Sequence, residues 1–229
     1  MEQQKIWEHF QNPGEGHDAF FNSAPRYQFL AGRLAANLHV LNIGVGRGGL
    51  EDLLMAKGVV VSCLDPSETA IEFIREKHGL GGRAKVGFSQ SMSFADGQFD
   101  AVVMSEVLEH LDTETLDATL KEVKRVLKRG GRLIGTVPAD EILANNLALC
   151  PHCGESFHRW GHVQSFSIER LRGIFQSHGF TATRMQTRVF PDWGRPGAGN
   201  FIKSVARYFL GRAGSPIASP TIYFEASAA

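Results

Sequence analysis

Two stretches of the chain carry side chains whose types and spacing could do chemistry. One is Cys150-Pro151-His152-Cys153-Gly154 followed by His158 and His162, a Cys-x-x-Cys-x4-His-x3-His pattern. Two thiolates and two imidazoles suit tetrahedral zinc, and the pair spacings match structural sites, so Cys150, Cys153, His158 and His162 are the expected ligands of a structural zinc. A redox dithiol would need the thioredoxin-like strand–helix context, which is missing. The remaining reading is a free thiol pair, with His162 serving a substrate pocket. The other stretch is Gly44-Val45-Gly46-Arg47-Gly48-Gly49, followed sixteen residues on by Asp65. Glycines after a strand allow a tight turn and a close backbone approach to a ligand. A carboxylate at the next strand end can accept both ribose hydroxyls of an adenosine.

These residues need a scaffold, and the hydrophobic pattern supplies one. His39 to Ile43 reads as a buried strand running into the glycines, Gly49 to Lys57 as an amphipathic helix, and Val59 to Leu64 as a second strand. Ser67 is the expected N-cap for a helix through about His78. Further strands are expected at Ala84 to Phe88, Phe99 to Met104, Arg132 to Val137, Phe180 to Phe190 and Thr221 to Glu225, with helices at residues 26–37, Thr113 to Lys128, Ser167 to His178 and Asn200 to Gly211. Alternating strands and helices with near-continuous apolar strands imply an α/β class, a doubly wound, Rossmann-like, seven-stranded and mostly parallel sheet covered by helices on both faces. Such sheets bind ligands beyond the C-terminal strand ends, where Gly44 and Asp65 fall. Residues 1–37 read as an N-terminal helical or lid segment, with Trp7, Phe10, Phe20, Phe21 and Tyr27 as lid or pocket aromatics. Residues 38–229 form the main domain, and about 138–166 form an insert carrying the Cys/His pattern.

The composition is that of an ordinary globular protein: 229 residues, 43% apolar and 21% charged, with Lys plus Arg equal to Asp plus Glu at 24. A strongly basic, histone-like nucleic-acid binder is excluded. The zero balance hides an asymmetry, with 15 basic and 20 acidic side chains before residue 150 against 9 and 4 from there on. An anionic substrate or partner for the later part is a minor reading beside that of scattered solvated arginines. No run approaches the ~18 apolar residues a membrane span needs. Three cysteines and a polar start point to a reducing, cytoplasmic compartment.

The ordered motifs resemble the class I S-adenosylmethionine-dependent methyltransferase family. Val40 to Gly48 is similar to its first motif, Val61 to Ser67 to its acidic second strand end, Phe94 to Leu111 to its fourth-strand motif, and Leu120 to Leu133 to the helix and turn that follow. The nearest flavour is the small-molecule subgroup that includes quinone-biosynthesis O-methyltransferases. The resemblance implies that S-adenosyl-L-methionine is the cofactor. Gly44 and Gly46 would line its methionine part, Asp65 its ribose, and Pro66 its adenine, with Ser89 or Gln90 near the adenine amine. Ser105 and Glu106 would face the sulfonium and the acceptor. Asn42 stands where the family usually has an acid; its amide oxygen accepts a hydrogen bond but brings no charge.

Methyl transfer from a sulfonium is an in-line displacement, helped chiefly by holding nucleophile, methyl and sulfur collinear. A hydroxyl acceptor must also lose its proton, and His110 and His162 are the candidate bases. Glu109 reads as a solvated or capping carboxylate, and Cys63 as a small core residue. No Asn/Asp-Pro-Pro-aromatic stretch follows the fourth strand, which favours oxygen on a small molecule, sugar or lipid-type acceptor and disfavours a nucleic-acid partner. The alternatives are an RNA-directed enzyme using the insert and the basic later part, a non-catalytic cofactor binder, and a nucleotide-dependent oxidoreductase built on Gly44, Gly46, Gly49 and Asp65. The last lacks a Tyr-x-x-x-Lys pair.

Overall fold

The computed structural model describes residues 23–228, apart from 195, 213–214 and 216–217. Trp7, Phe10, Phe20 and Phe21, and with them most of the expected lid, lie outside the described residues. The chain runs through α1 (Ala24–Ala31), β1 (His39–Ile43), α2 (Gly49–Ala56), β2 (Val60–Asp65), α3 (Glu68–His78), β3 (Ala84–Val86), β4 (Phe99–Ser105), α4 (Thr113–Val126) and β5 (Leu127–Pro138). It continues through β6 (Leu147–Leu149), β7 (Ser156–His158), α5 (Ile168–Ser177), β8 (Phe180–Arg188), α6 (Ala198–Arg212) and β9 (Thr221–Ala228).

Seven strands form one sheet in the order β3-β2-β1-β4-β5-β9-β8. The first five are parallel, and β9 and β8 close the edge antiparallel. The mostly parallel, doubly wound expectation therefore holds. Central strands are apolar on both faces because helices cover both: Leu41, Val102, Met104 and Leu133 pack with α4 and α5, while Val40, Val61, Ala101 and Ile134 pack with α1, α2 and α3. α4 buries Leu116, Leu120 and Val123 at helical spacing, and its N-cap Asp112 accepts from the Thr115 N–H at 2.8 Å. Ser67 caps α3 as expected, accepting from the Ala70 N–H at 3.2 Å.

Two local expectations change. The Arg129-Gly130-Gly131 turn is absorbed into the long β5, whose pairing with β4 skips from Leu127 opposite Phe99 to Arg132 opposite Ala101. The insert is not all loop, since β6 and β7 pair as a short antiparallel hairpin. The register places Leu147 opposite His158, and period-2 pairing over three residues is too short to read from sequence.

Strand order reverses between the neighbours β1 and β4, which opens a crevice past their C-terminal ends. At the other end of the sheet, Arg125 of α4 ties the helix to the chain leading into β4: its guanidinium donates to Glu122, to Asp96 and to the carbonyls of Met92 and Phe94. Among the described residues no helix is long and apolar enough to cross a membrane.

Candidate active site

A cavity of about 630 Å³ opens at that crevice, within the usual range for small-ligand sites. One end is built from the loop after β1 and the ends of β2 and β3. Gly44, Gly46, Asp65, Pro66, Ser89 and Gln90, all expected there, line it together with Phe88. Gly44 has φ +82°, and a Cβ on it would sit 2.8 Å from Val107 Cγ2, so only glycine leaves this floor open. Asp65 is almost fully buried. Its Oδ2 accepts from the Val45 N–H and its Oδ1 from the Ser67 N–H, both at 2.9 Å, which ties the glycine loop to β2.

The other end lies beyond β4. Ser105, Glu106, His110 and His162, also expected there, line it with Arg26, Glu109, Trp160 and Arg207. Ser105 Oγ accepts from Arg26 Nε at 3.0 Å and lies 3.0 Å from Thr136 Oγ1. Glu106 takes a left-handed φ of +59°, a strained position of the kind that clusters at functional sites. Its N–H donates to the Thr136 carbonyl at 2.9 Å, and Arg26 NH1 lies 3.9 Å from its Oε2.

Glu109 corrects the sequence reading. It is 1% exposed, and neither carboxyl oxygen has a hydrogen-bond partner among the described residues. Burial, and then the Glu106 charge, push its carboxyl well above the usual range. The reason lies in the insert: the Val163 and Gln164 N–H groups both donate to the Glu109 carbonyl, and this lays the insert over the turn after β4. His110 beside it is half-buried. Burial, then the neighbouring His162, lower the ring to about 3, so His110 by itself stays neutral and is a weak base near neutral pH.

His162 meets Glu141, Nδ1 to Oε2, at 2.5 Å, and its ring stands edge-on to His110 at 4.8 Å between centroids. Burial works to raise the Glu141 carboxyl, but the His162 hydrogen bond and the His162 and His158 charges outweigh it and hold it low. Sequence spacing gave no sign of Glu141, which enters from the start of the insert.

The four expected zinc ligands are not gathered in one place. His158 is buried, its Nδ1 accepts from the His162 and Trp160 N–H groups at 3.0 and 3.4 Å, and its Nε2 lies 3.3 Å from Glu141 Oε1. Cys153 is exposed and Cys150 half-buried in the turn between β6 and β7, where the Gly154 N–H donates to the Cys150 carbonyl. Backbone N–H groups of Cys153 and His152 lower the Cys150 thiol. Among the described residues, the groups able to hold a metal are Glu109–His110–His162 and Glu141–His158–His162, and neither includes a cysteine.

Asn42 lies under the glycine loop, outside the cavity lining, and its Nδ2 donates to Glu51 Oε1 at 2.6 Å. Glu51 is fully buried, and burial raises its carboxyl, opposed chiefly by the Asn42 bond. Cys63 is a core residue, as expected, and its thiol also points at Glu51 Oε1. A raised acid penalises the fold as pH climbs from the usual carboxylate range toward its folded value. Glu51→Gln keeps the acceptor and removes the charge. Urea unfolding should therefore show the variant gaining on wild type from pH 5 to pH 8; a difference that shrinks with pH contradicts the buried, reluctant acid.

A methyltransferase-domain family model matches residues 17–184. An uncharacterised methyltransferase from a Geobacillus strain is 25% identical over 189 residues, 77% of this chain and 86% of that one. A ubiquinone biosynthesis O-methyltransferase from Xanthomonas oryzae is 32% identical over 115 residues, 47% of this chain and 46% of that enzyme, so the match spans about half of its length. The fold is similar to a Burkholderia thailandensis 1,6-didemethyltoxoflavin-N1-methyltransferase solved with S-adenosylhomocysteine, with TM-score 0.66, 16% identity, and 99% and 86% of the two chains covered.

Proposed function

The chain belongs to the methyltransferase-domain family and is an S-adenosylmethionine-dependent methyltransferase, and from that premise we propose that its acceptor is a hydroxyl oxygen of a small molecule, sugar or lipid-type compound. One observation carries the reading: a single cavity joins the glycine loop and Asp65 at one end to a wall of Ser105, Glu106, Glu109, His110 and His162 at the other.

The residues present fit the cofactor. The floor at Gly44 has no room for a Cβ, and Asp65 is fixed by two backbone N–H groups with its carboxylate on the cavity wall. Ser89 and Gln90 lie on the same wall, where the base would be read. When bound, S-adenosylmethionine supplies a methyl group on a positively charged sulfur that is already activated for displacement. The chain's own part is to hold the acceptor in line and take away its proton. Asp65 and the glycine loop fix the donor side. Ser105 and Glu106, at the end of β4, begin the acceptor end. The polar wall of Glu109, His110 and His162 receives the acceptor hydroxyl, and Arg26 suits an acceptor that also carries an anionic group.

Two arginines of the basic later part support a small acceptor over RNA. Arg188 lies over the Phe29 ring at 4.4 Å, and Arg207 donates to the Ala218 carbonyl at 3.1 Å, so both are engaged within the fold. Calorimetric titration tests the donor side. S-adenosylhomocysteine should bind at one site per chain and NAD should not; the reverse order of affinities would return the oxidoreductase reading.

A further inference from the structure

We propose that Glu109, His110 and His162 bind one divalent transition-metal ion, zinc by their donor set, on the acceptor wall of the cavity. The observation that starts the argument is Glu109, a buried carboxyl on the cavity wall with no hydrogen-bond partner for either oxygen among the described residues. A buried acid left in that state is costly, and buried charges are ordinarily paired or bound to metal. Two imidazoles stand beside it: one ligand atom from each of the three residues lies within 4.8 Å of the others. Ligands about 2.1 Å from a tetrahedral ion sit about 3.4 Å apart, so the three need only draw together.

The tautomers agree. The Gly161 carbonyl can only accept, so His110 Nδ1, 3.2 Å away, carries the hydrogen, and the ring's lone pair is on Nε2. Glu141 likewise holds His162 by Nδ1 at 2.5 Å, which leaves Nε2 to ligate. A carboxylate behind a histidine is the usual outer support of a metal-bound imidazole. The neighbouring group of Glu141, His158 and His162 is a support and not a second site. Its carboxylate already accepts from Asn146 Nδ2 at 2.9 Å and from His162, and His158 Nδ1 is occupied by backbone N–H groups.

One carboxylate and two imidazoles leave a position open, as catalytic zinc sites do. Here it would face the cavity. The function of the ion rests on the methyl-transfer reading: an acceptor hydroxyl bound at the open position loses its proton to water more readily, and the oxygen is then ready for attack. Glu106, on the same wall, brings a further carboxyl oxygen with no partner among the described residues.

The test is metal content, which needs no activity. Full-length protein is stripped with chelator, then titrated with Zn²⁺ and, separately, Co²⁺, for wild type, Glu109→Gln, His162→Gln, Glu141→Gln and the double variant Cys150→Ser/Cys153→Ser. Wild type and the cysteine variant should bind one ion per chain. Loss of a ligand in Glu109→Gln or His162→Gln should abolish stoichiometric binding, and Glu141→Gln should weaken it by about 10- to 100-fold. Bound Co²⁺ should show no thiolate charge-transfer absorption. Thermal unfolding of the stripped proteins checks that the variants fold, and Glu141→Gln keeps the test decisive if a ligand variant does not. No stoichiometric ion in wild type, or an ion lost in the cysteine variant and kept in His162→Gln, would overturn the proposal. S-adenosylhomocysteine titrated into the same stripped protein separates the two claims: binding there with no metal site leaves the methyl-transfer reading standing.

Discussion

Asp65→Ala should weaken S-adenosylhomocysteine binding by about 100-fold, equivalent to roughly 3 kcal/mol, while the protein stays folded. Two losses combine. The carboxylate on the cavity wall can accept from the ribose hydroxyls, and a charged acceptor makes strong hydrogen bonds there. The same group accepts from the Val45 and Ser67 N–H groups at 2.9 Å, so its removal also frees the glycine loop that forms the floor. Asp65→Asn keeps the shape and one acceptor and should fall between the two. Calorimetry reads the affinity, and circular dichroism reads the fold. An unchanged affinity in the alanine variant would detach Asp65 from the donor site.

The largest effect on stability is expected at Gly135, in the middle of β5. A Cβ there would lie 1.9 Å from the Met104 carbonyl oxygen and 2.5 Å from Phe224 Cζ. The first neighbour is the backbone of the adjacent central strand, β4, which cannot move without breaking the sheet. Overpacking in cores costs about 1–3 kcal/mol and occasionally more, and with backbone as the obstacle Gly135→Ala should lose about 3 kcal/mol or more. Gly173 in α5 is the control. A Cβ there meets nothing within 4 Å, and Gly→Ala in a helix interior gains about 0.5–1 kcal/mol. Urea midpoints should therefore move in opposite directions. A Gly135→Ala protein as stable as wild type would mean that β4 and β5 are not packed as described.

The fold, and the gathering of Gly44, Gly46 and Asp65 at one end of the cavity, were legible in the sequence for a physical reason. Buried parallel strands such as Val40-Leu41 and Ala101 to Met104 are continuous apolar runs, and their C-terminal ends hold Gly44, Asp65 and Ser105 at fixed places. Local chemistry was readable too, as the Ser67 cap shows. The acceptor end was less legible because contacts distant in sequence create it. Glu109 looked like a surface acid until residues 161–164 folded over it. Glu141 carries no local signal and acquires a role only where it meets His162, 21 residues away. The Cys150–His162 spacing suggested one site, but β6–β7 pairing leaves the thiols in an outer turn while His158 and His162 turn inward to Glu141. Regular spacing constrains which residues can meet; packing decides which do.

Methyl transfer itself is the most direct test of the central claim. Purified protein and its Asp65→Ala variant are incubated with methyl-labelled S-adenosylmethionine and a cell extract separated into small molecules, glycans and lipids, protein, and RNA. The account predicts label in the small-molecule or the glycan and lipid fraction, released by wild type and strongly reduced in the variant. Label confined to RNA or protein, or label in wild type and variant alike, would contradict it.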